Sequence, residues 1–297
     1  MPLTCAPEKR EKDSMCRFVF YQGPPLFLSS LLTDPAHSLI RQSFESEERS
    51  EPLNGDGFGV AWYAPEVSSE PAAFRMITPA WNDRNLRDLA RVVKSRTILA
   101  HVRAATQVRA VNEANCHPFR SGSWAFMHNG DVGGFAQMRR VLLTELSDRA
   151  FHSIEGSTDS EHAFALFLDE IGHRPARDGE ELLLALERTF ARLIALSREH
   201  GGGEPSYLNL AVTDGVHSAV TRYTNEEGYD GESLYLDRGR RYVCEGGMCR
   251  MVSADDAGGA VIVSSERLSD DPGWEAVPRN HAVLSDGHSV ELRRLAV

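Results

Sequence analysis

The 297-residue sequence has no apolar run that approaches the roughly 20 residues of a membrane-spanning helix. Residues 1–15 also lack the apolar middle section of a secretory signal, so we predict a cytoplasmic protein that does not enter membranes. Basic residues are in deficit, since 32 Lys and Arg stand against 43 Asp and Glu for a net charge of -11. Nucleic acids are bound through basic surfaces, so we expect no nucleic-acid partner.

Cysteine is scarce as well, with five in the chain. A small, odd number in so long a chain favours reduced thiols over a disulfide framework. Cys244 and Cys249 lie close together in CEGGMC, but no second Cys/His pair accompanies them. We therefore predict two unpaired thiols there, no metal site and no cofactor.

The distribution of apolar residues changes twice along the chain. Aromatic and β-branched segments predict strands at both ends, and a middle section with apolar residues at three- and four-residue intervals predicts helices. The predicted strands are CRFVFY, GFGVAWY, AAFRMI, TILAHVRA and SWAFMHN, then YLNLAVTD, HSAVTRY, RRYVCE, AVIVSS and HSVELRRLAV. The predicted helices are NLRDLARVVKS, FAQMRRVLLTEL, SEHAFALFLDEI and GEELLLALERTFARLIALSRE. This order predicts one domain, in which sheets pack face to face with helices outside.

The segment NGDGFG (54–59) places three glycines directly before a predicted strand. A phosphate-binding loop would be followed by a helix N-terminus instead, so nucleotide binding is not expected. Glycine permits close approach of the backbone to another group, and that is the predicted role of this segment.

The segment AHVRAAT (100–106) places His101 and Arg103 at the end of a predicted buried strand. Alternation along a strand puts both side chains on one face. A buried arginine needs an anion, which is either a carboxylate of the protein or the carboxylate of a substrate. The segment by itself leaves both partners open.

The segment AFMHNGD (125–131) ends a predicted strand in Asn-Gly. Taken alone, this pair favours a hairpin turn. The alternative is an oxyanion hole, in which the side-chain amide of Asn129 and the backbone N–H of Gly130 donate to one oxygen.

The segment EGSTDSEHAF (155–164) has the composition of a helix N-terminus. Ser157, Thr158 or Asp159 could cap this helix, and Glu161 adds favourable negative charge to its first turn. Capping explains these residues fully, but an acidic side chain at this position could equally receive the ammonium group of a ligand.

These segments occur in an order that resembles a known family. MCR, NGDGFGVAWY, HVRAAT, NCHPF, HNGD and STDSE, followed by NLAVTDG and VSSERL…WEAVP, resemble the glutaminase domain of class II glutamine amidotransferases, which are N-terminal-nucleophile hydrolases. The match is closest to stand-alone members, including the γ-glutamyl amidohydrolases of ergothioneine synthesis and glutathione breakdown, and extends from Met15 onward. It implies an α+β fold, the four-layer αββα sandwich of N-terminal-nucleophile hydrolases, which agrees with the strand–helix–strand order.

The resemblance also implies roles for individual residues. Cys16 would be the nucleophile that forms a γ-glutamyl thioester, and its own α-amine would be the base, directly or through a water. Arg103 would bind the α-carboxylate of glutamine or of a γ-glutamyl group, and Asp159 would bind its α-ammonium. Asn129 and Gly130 would form the oxyanion hole.

Three histidines lie in the matching segments. His101 and His128 are expected to border the substrate and order the site, because family sites are described without a histidine base. Cys116 and His117 are adjacent in sequence, and adjacent residues of a strand point to opposite faces, so we expect no catalytic dyad from them.

The proposed base requires a free α-amine, yet Cys16 is an internal residue of the sequence. Either translation starts at Met15, which is then removed, or a protease cleaves after Met15; the first explanation is favoured. We therefore divide the chain into a leader (1–15) and a glutamine amidotransferase type-2 domain (16–297). The family often has Ser-Glu-Pro-Leu where this chain has Ser-Glu-Arg-Leu (265–268), which leaves the role of that loop open.

The family-like region extends almost to the C-terminus, so we expect no acceptor domain for ammonia. Either a separate partner subunit takes up ammonia, or water hydrolyses a γ-glutamyl amide, which is the simpler hypothesis. Two alternatives are a non-catalytic regulatory protein that keeps the pocket and an N-terminal-nucleophile hydrolase of another amide. Arg103 and Asp159 argue against the last, because such substrates lack the amino-acid head group.

Overall fold

The structure, a computed structural model, describes residues 16–46, 53–104, 112–245, 248–252 and 259–297. The predicted leader lies outside these residues. The strands are β1 (Arg17–Phe27), β2 (Phe58–Trp62), β3 (Ala72–Met76), β4 (Lys94–Val102), β5 (Phe119–Ser121), β6 (Trp124–Asp131), β7 (Tyr207–Thr213), β8 (Ser218–Arg222), β9 (Tyr235–Gly239), β10 (Arg241–Glu245), β11 (Met248–Val252), β12 (Ala260–Ser264), β13 (Glu275–Ala276), β14 (His281–Ser285) and β15 (Val290–Arg294). The helices are α1 (Ser29–Leu32), α2 (Leu39–Gln42), α3 (Arg84–Val92), α4 (Phe135–Glu145), α5 (Asp148–His152), α6 (Asp159–Ile171) and α7 (Gly179–His200).

The strands form two large antiparallel sheets. The first has seven strands in the order β13-β9-β12-β1-β4-β2-β3, and the second has six in the order β15-β14-β8-β7-β6-β5. The hairpin β10–β11 forms a separate two-stranded sheet. Because β1, β4 and β6 are inner strands, the residues at their ends are held by neighbours on both sides.

Three apolar clusters show how the layers pack. Inward-facing residues of both sheets form the middle cluster, with Phe18, Leu99 and Met127 among them. A second cluster joins the outer face of the six-stranded sheet to α4–α7, and a third joins the outer face of the seven-stranded sheet to α1–α3 and the β10–β11 hairpin. The predicted four-layer αββα sandwich is confirmed.

The long helix α7 shows the predicted amphipathic pattern. Its buried residues recur at three- and four-residue intervals, and the side chain of Asp178 caps its start by accepting from the N–H of Glu181 at 2.8 Å. Helix α6 is buried on nearly all sides because it packs against β6 of the sheet and against α4, α5 and α7. Its first residue, Asp159, is thereby carried into the interior.

The β10–β11 hairpin corrects one prediction. Cys244 and Cys249 lie directly opposite each other across the hairpin and form a disulfide. The prediction of two unpaired thiols was wrong, because the hairpin makes these cysteines cross-strand neighbours. Cys16 and Cys116 are free thiols.

In the part of the chain that the structure describes, no helix combines the length and the apolar character needed to cross a membrane.

Candidate active site

Cys16 lies directly before β1, next to the end of β4. The register of these strands pairs Arg17 with Val102, so Cys16 and Arg103 are the next residues of the two antiparallel chains. The Sγ of Cys16 lies 3.6 Å from the carbonyl oxygen of Ala104. Among the described residues, no imidazole or carboxylate makes a hydrogen bond to this sulfur.

The surroundings of Cys16 influence its protonation. Desolvation raises the pKa of the thiol above its usual value, and the nearby Asp131 acts in the same direction. The positive charges of Arg103 and Arg17 act in the opposite direction. Because the net shift is upward, the thiol is protonated at neutral pH and needs a base to become a nucleophile.

Arg103 follows β4 and is held in place by its main chain. Its N–H donates to the carbonyl of Gly57 at 2.8 Å, and its carbonyl accepts from the N–H of Asp56 at 3.1 Å. The side chain is only 4% exposed, yet Nη1 has no hydrogen-bond partner within the described ranges. Burying a guanidinium group with an unused donor is unfavourable, which makes Arg103 a candidate for binding an anion.

The glycines of residues 54–59 bring that segment close to its neighbours, as predicted. A Cβ on Gly57 would lie 2.8 Å from the Sγ of Cys116 and from the carbonyl oxygen of Met76. A Cβ on Gly59 would overlap the carbonyl group of His117. The close approach lets the main chain reach Arg103.

Asn129 and Gly130 lie inside β6, where they pair with Asn209 and Leu208 of β7. The hairpin-turn interpretation of Asn-Gly is therefore wrong. Asn129 is buried, and its side-chain oxygen has no hydrogen-bond partner among the described residues. A Cβ on Gly130 would overlap the carbonyl oxygen of Tyr207, so this position accepts no side chain.

His101 of β4 connects the two sheets through a hydrogen bond to β6. Its Nε2 lies 3.2 Å from the carbonyl oxygen of His128, the residue before Asn129. Burial lowers the pKa of His101 to about 3, so the ring is neutral and Nε2 carries the proton that it donates. The Nδ1 of His101 has no partner in the described chain.

His128 points away from Asn129, as alternation along β6 requires. Its Nδ1 lies 2.9 Å from the hydroxyl of Ser160, and its Nε2 lies 2.9 Å from the carbonyl oxygen of Tyr207. These contacts agree with a residue that orders the site, and its contact with substrate stays a prediction.

In the helix N-terminus at 155–164, the residue that caps the helix differs from the candidate residue for binding an ammonium group. Thr158 is the N-cap and accepts from the N–H of Glu161 at 3.2 Å. Asp159 is 1% exposed, and its Oδ2 accepts from the N–H of Val132 at 2.9 Å. Thr158 is the cap, and the carboxylate of Asp159 instead ties α6 to Val132, the second residue after the Asn-Gly pair.

Cys116 and His117 of the NCHPF motif lie near the candidate site. Both are outside any strand, so the reason given for excluding a dyad was wrong, and the exclusion itself stays a prediction. The thiol of Cys116 hydrogen-bonds to backbone oxygens of Met76 and Asn112. The ring of His117 packs on that of His101 at 4.3 Å between centroids, and burial lowers its pKa well below the usual value.

Sequence patterns did not predict a buried ion pair beside Cys16. The Nε of Arg17 lies 2.5 Å from Oε1 of Glu266, and both side chains are buried. The pair was hidden because its members are far apart in sequence, although Glu266 lies in the Ser-Glu-Arg-Leu loop whose role was open. In the same loop Arg267, where the family often has proline, lies over the ring of Tyr235 at 5.5 Å.

Comparisons with known proteins show the family of this chain. The family model for class II glutamine amidotransferases matches residues 28–225. The chain is 42% identical over 287 residues to the Saccharomyces cerevisiae protein named "Probable glutamine amidotransferase DUG3", covering 90% of this chain and 80% of the relative.

Two further relatives extend the comparison. A γ-glutamyl-hercynylcysteine sulfoxide hydrolase of Mycolicibacterium smegmatis is 27% identical over 278 residues, which are 93% of this chain and 98% of the relative. The solved structure of a glutamine aminotransferase class-II domain protein from Silicibacter pomeroyi superposes with a TM-score of 0.64 at 30% identity, covering 95% of this chain and 100% of that one. The chain therefore belongs to the class II glutamine amidotransferases, a family of enzymes that hydrolyse amides.

Proposed function

We propose that this enzyme hydrolyses a γ-glutamyl amide, with Cys16 as the nucleophile and its free α-amine as the base. The observation that carries the proposal is the unused, buried Nη1 of Arg103 next to the thiol of Cys16. An anionic head group on Arg103 would bring a side-chain amide of the same ligand to the sulfur. In this proposal the working enzyme begins at Cys16, and residues 1–15 are absent from it.

The first half of the reaction forms a thioester. The α-amine accepts the proton of the thiol, and the sulfur attacks the γ-carbonyl carbon of the substrate. The carbonyl oxygen becomes an oxyanion that receives hydrogen bonds from the side chain of Asn129 and the N–H of Gly130. The amine then delivers its proton to the leaving nitrogen, the C–N bond breaks, and the free amine or ammonia departs.

The second half releases glutamate. Water loses a proton to the α-amine and attacks the thioester carbon, the C–S bond breaks, and the sulfur regains the proton as a thiol. The amine suits both steps because its reference pKa is about 7.7–8.0, near neutral pH. The absence of an imidazole or carboxylate bonded to Sγ within the described ranges supports the amine in this role.

The head group of the substrate would be held from two directions. Arg103 would bind the α-carboxylate, and Asp159, whose carboxylate accepts from the N–H of Val132 and from the hydroxyl of Ser160, would bind the α-ammonium. His101 would order the Asn129 segment through the His128 carbonyl. A substrate without an amino-acid head group would leave the Arg103 charge buried and unpaired, which argues against another amide.

Water as the acceptor is favoured over a partner subunit. The Mycolicibacterium smegmatis relative is named as a hydrolase of a γ-glutamyl compound. That relative matches this chain over 98% of its own length. Transfer of ammonia to a separate subunit would use the same thioester and differ only in the fate of the amine.

The test compares protein that begins at Cys16 with protein that retains residues 1–15. Glutamate release from glutamine and from γ-glutamyl thiol compounds is measured for both, with Cys16→Ala as the inactive control. We expect activity in the Cys16 form alone, together with a γ-glutamyl mass increase on Cys16 after acid quenching. Equal activity with the leader retained would contradict the amine mechanism, and no glutamate from any substrate in either form would contradict the proposed function.

A further inference from the structure

Among the described residues, the guanidinium group of Arg17 contacts Cys16, Ser46 and Glu266. Its Nε lies 2.5 Å from Oε1 of Glu266, its Nη1 donates to the carbonyl of Cys16 at 3.1 Å, and its Nη2 donates to the hydroxyl of Ser46 at 2.9 Å. The hydroxyl of Ser46 also donates to Oε1 of Glu266 at 2.5 Å, which closes a ring of polar contacts. Arg17 and Glu266 are 2% and 4% exposed, so solvent screens this pair little.

Glu266 is itself fixed to the start of β1. The N–H of Ser265 donates to the carbonyl of Phe18, and the hydroxyl of Ser265 accepts from the N–H of Phe18, both at 3.1 Å. The side chain of Gln42 reaches the carbonyl of Glu266 at 3.4 Å. The carboxylate is therefore held by the same sheet that carries the nucleophile.

A terminal residue needs such an anchor more than an internal one does. The first residue of a chain frays unless it is tied down. In an enzyme that begins at Cys16, the contact from Arg17 holds the carbonyl of that residue, and so limits rotation of its amine and thiol relative to the sheet. The ion pair also presents its positive end to Cys16, and a neighbouring cation disfavours the protonated form of an amine.

We propose that Arg17, held by Glu266 and Ser46, is a positioning residue that fixes Cys16 and keeps its α-amine in the neutral form that acts as base. This inference rests on the proposed function for its kinetic consequences. The other charges that act on Cys16 are Arg103 at the end of β4 and Asp131 at the end of β6, and both stay unchanged in the variants below.

Two substitutions separate the geometry of Arg17 from its charge. Arg17→Lys keeps the charge but carries all its donors on one nitrogen and cannot reach Cys16, Ser46 and Glu266 together as the planar guanidinium does, so we expect kcat to fall about tenfold while KM changes little. Arg17→Gln loses both, so we expect a larger fall in kcat. In that variant the acid limb of the pH profile of kcat/KM should also move about 0.5–1 unit to higher pH.

The partner residues supply two milder variants. Glu266→Gln weakens the hold on Arg17, and Ser46→Ala removes the bridge but keeps the ion pair. We expect both to lower kcat, with Ser46→Ala about threefold and Glu266→Gln more. The matched control is Glu145→Gln, which breaks the Arg192–Glu145 pair at the surface and should leave kcat and the pH profile unchanged.

A second readout does not depend on any substrate. The rate of Cys16 alkylation by iodoacetamide is followed against pH in protein that begins at Cys16, and the Arg17→Gln profile should shift to higher pH. If the wild type releases no glutamate, the proposed function fails, while this profile still tests the role of Arg17. Wild-type kcat and wild-type alkylation profiles in Arg17→Gln and Glu266→Gln would overturn the inference. Should Arg17→Gln not fold, Ser46→Ala decides, since wild-type kcat in that variant would overturn it.

Discussion

The Nε2 of His101 lies 3.2 Å from the carbonyl oxygen of His128, and this contact joins the two sheets one residue before Asn129. The donor comes from β4, which ends at Val102 directly before Arg103, and the acceptor belongs to β6, which carries the Asn-Gly pair. One hydrogen bond therefore couples the strand that ends at the proposed carboxylate site to the strand of the proposed oxyanion hole.

The coupling predicts that His101→Phe lowers kcat about tenfold with a smaller change in KM, because the ring remains but its donor is lost. His101→Gln retains a donor and should recover part of the activity. Glutamate release at saturating substrate measures both. Equal kcat in wild type and His101→Phe would contradict a positioning role.

The same residue predicts a pH effect on stability. The folded pKa of His101 is about 3, below the ordinary value of 6.5, so the unfolded state binds a proton that the folded state refuses between these pH values. Stability should therefore fall as pH drops below 6.5. Between pH 7 and pH 5, the free energy of unfolding of His101→Gln, measured with urea, should fall by on the order of 1–2 kcal/mol less than that of wild type. The pKa of His117 is also lowered, first by burial and then by the neighbouring His101, so the difference between the two proteins includes the response of His117.

Arg103→Lys should lower kcat/KM about 100-fold, although the charge is kept. The buried Nη1 is placed for a planar carboxylate, and an ammonium group cannot present two parallel donors. The loss should appear in KM as well as kcat, unlike that of the Arg17 variants. An unchanged kcat/KM with γ-glutamyl substrates would remove Arg103 from the substrate site.

Gly130→Ala should reduce both activity and stability. Its Cβ would overlap the carbonyl oxygen of Tyr207, so β6 and β7 would have to separate at the proposed oxyanion hole. We expect a loss of about 1–3 kcal/mol in the free energy of unfolding and a large loss of kcat. The control is Gly179→Ala at the start of α7, where the nearest atom to a new Cβ is 3.9 Å away and stability should change by about 0.5 kcal/mol or less. Normal activity in Gly130→Ala would show that the N–H of this residue is not needed in its present place.

Much of the sandwich could be predicted because its larger elements carry strong patterns. The helices α4, α6 and α7 were expected from apolar spacing, and β1, β2, β4 and β6 from aromatic and β-branched runs. The short helices α1, α2 and α5 contain four or five residues, too few to show a period of 3.6. The strands β9 and β14 mix polar and apolar residues in short runs, and their pairing depends on neighbours distant in sequence.

Sequence motifs predicted the parts of the candidate site that lie within one short segment of the chain. Cys16 and Arg103 belong to separate motifs. The register of β1 and β4 makes them neighbours, and neither motif by itself predicts that register. The Arg17–Glu266 pair bridges 249 positions and left no local signal. Taken alone, the Asn-Gly pair favoured a hairpin turn. That interpretation was wrong because the pairing of β6 with β7 continues past Gly130.

A buried acid far from Cys16 in sequence gives the last prediction. Asp237 on β9 is 1% exposed, and neither its Oδ2 nor the hydroxyl of Tyr242 has a hydrogen-bond partner among the described residues. Desolvation, with added repulsion from Asp271, raises the pKa of Asp237 from 3.8 to about 7. Between these values the folded state holds a proton that the unfolded state has released, so stability should fall as pH rises from about 4 to 7.

Asp237→Asn removes this ionisation while keeping the shape of the side chain. We expect the variant to exceed wild type in stability by on the order of 2 kcal/mol at pH 8 and by much less at pH 5, as measured by urea unfolding at both pH values. Asp270→Asn is the control, because that side chain is 97% exposed and its loss should leave the pH dependence unchanged. A wild-type pH dependence in Asp237→Asn would mean that Asp237 does not hold its proton in the folded state.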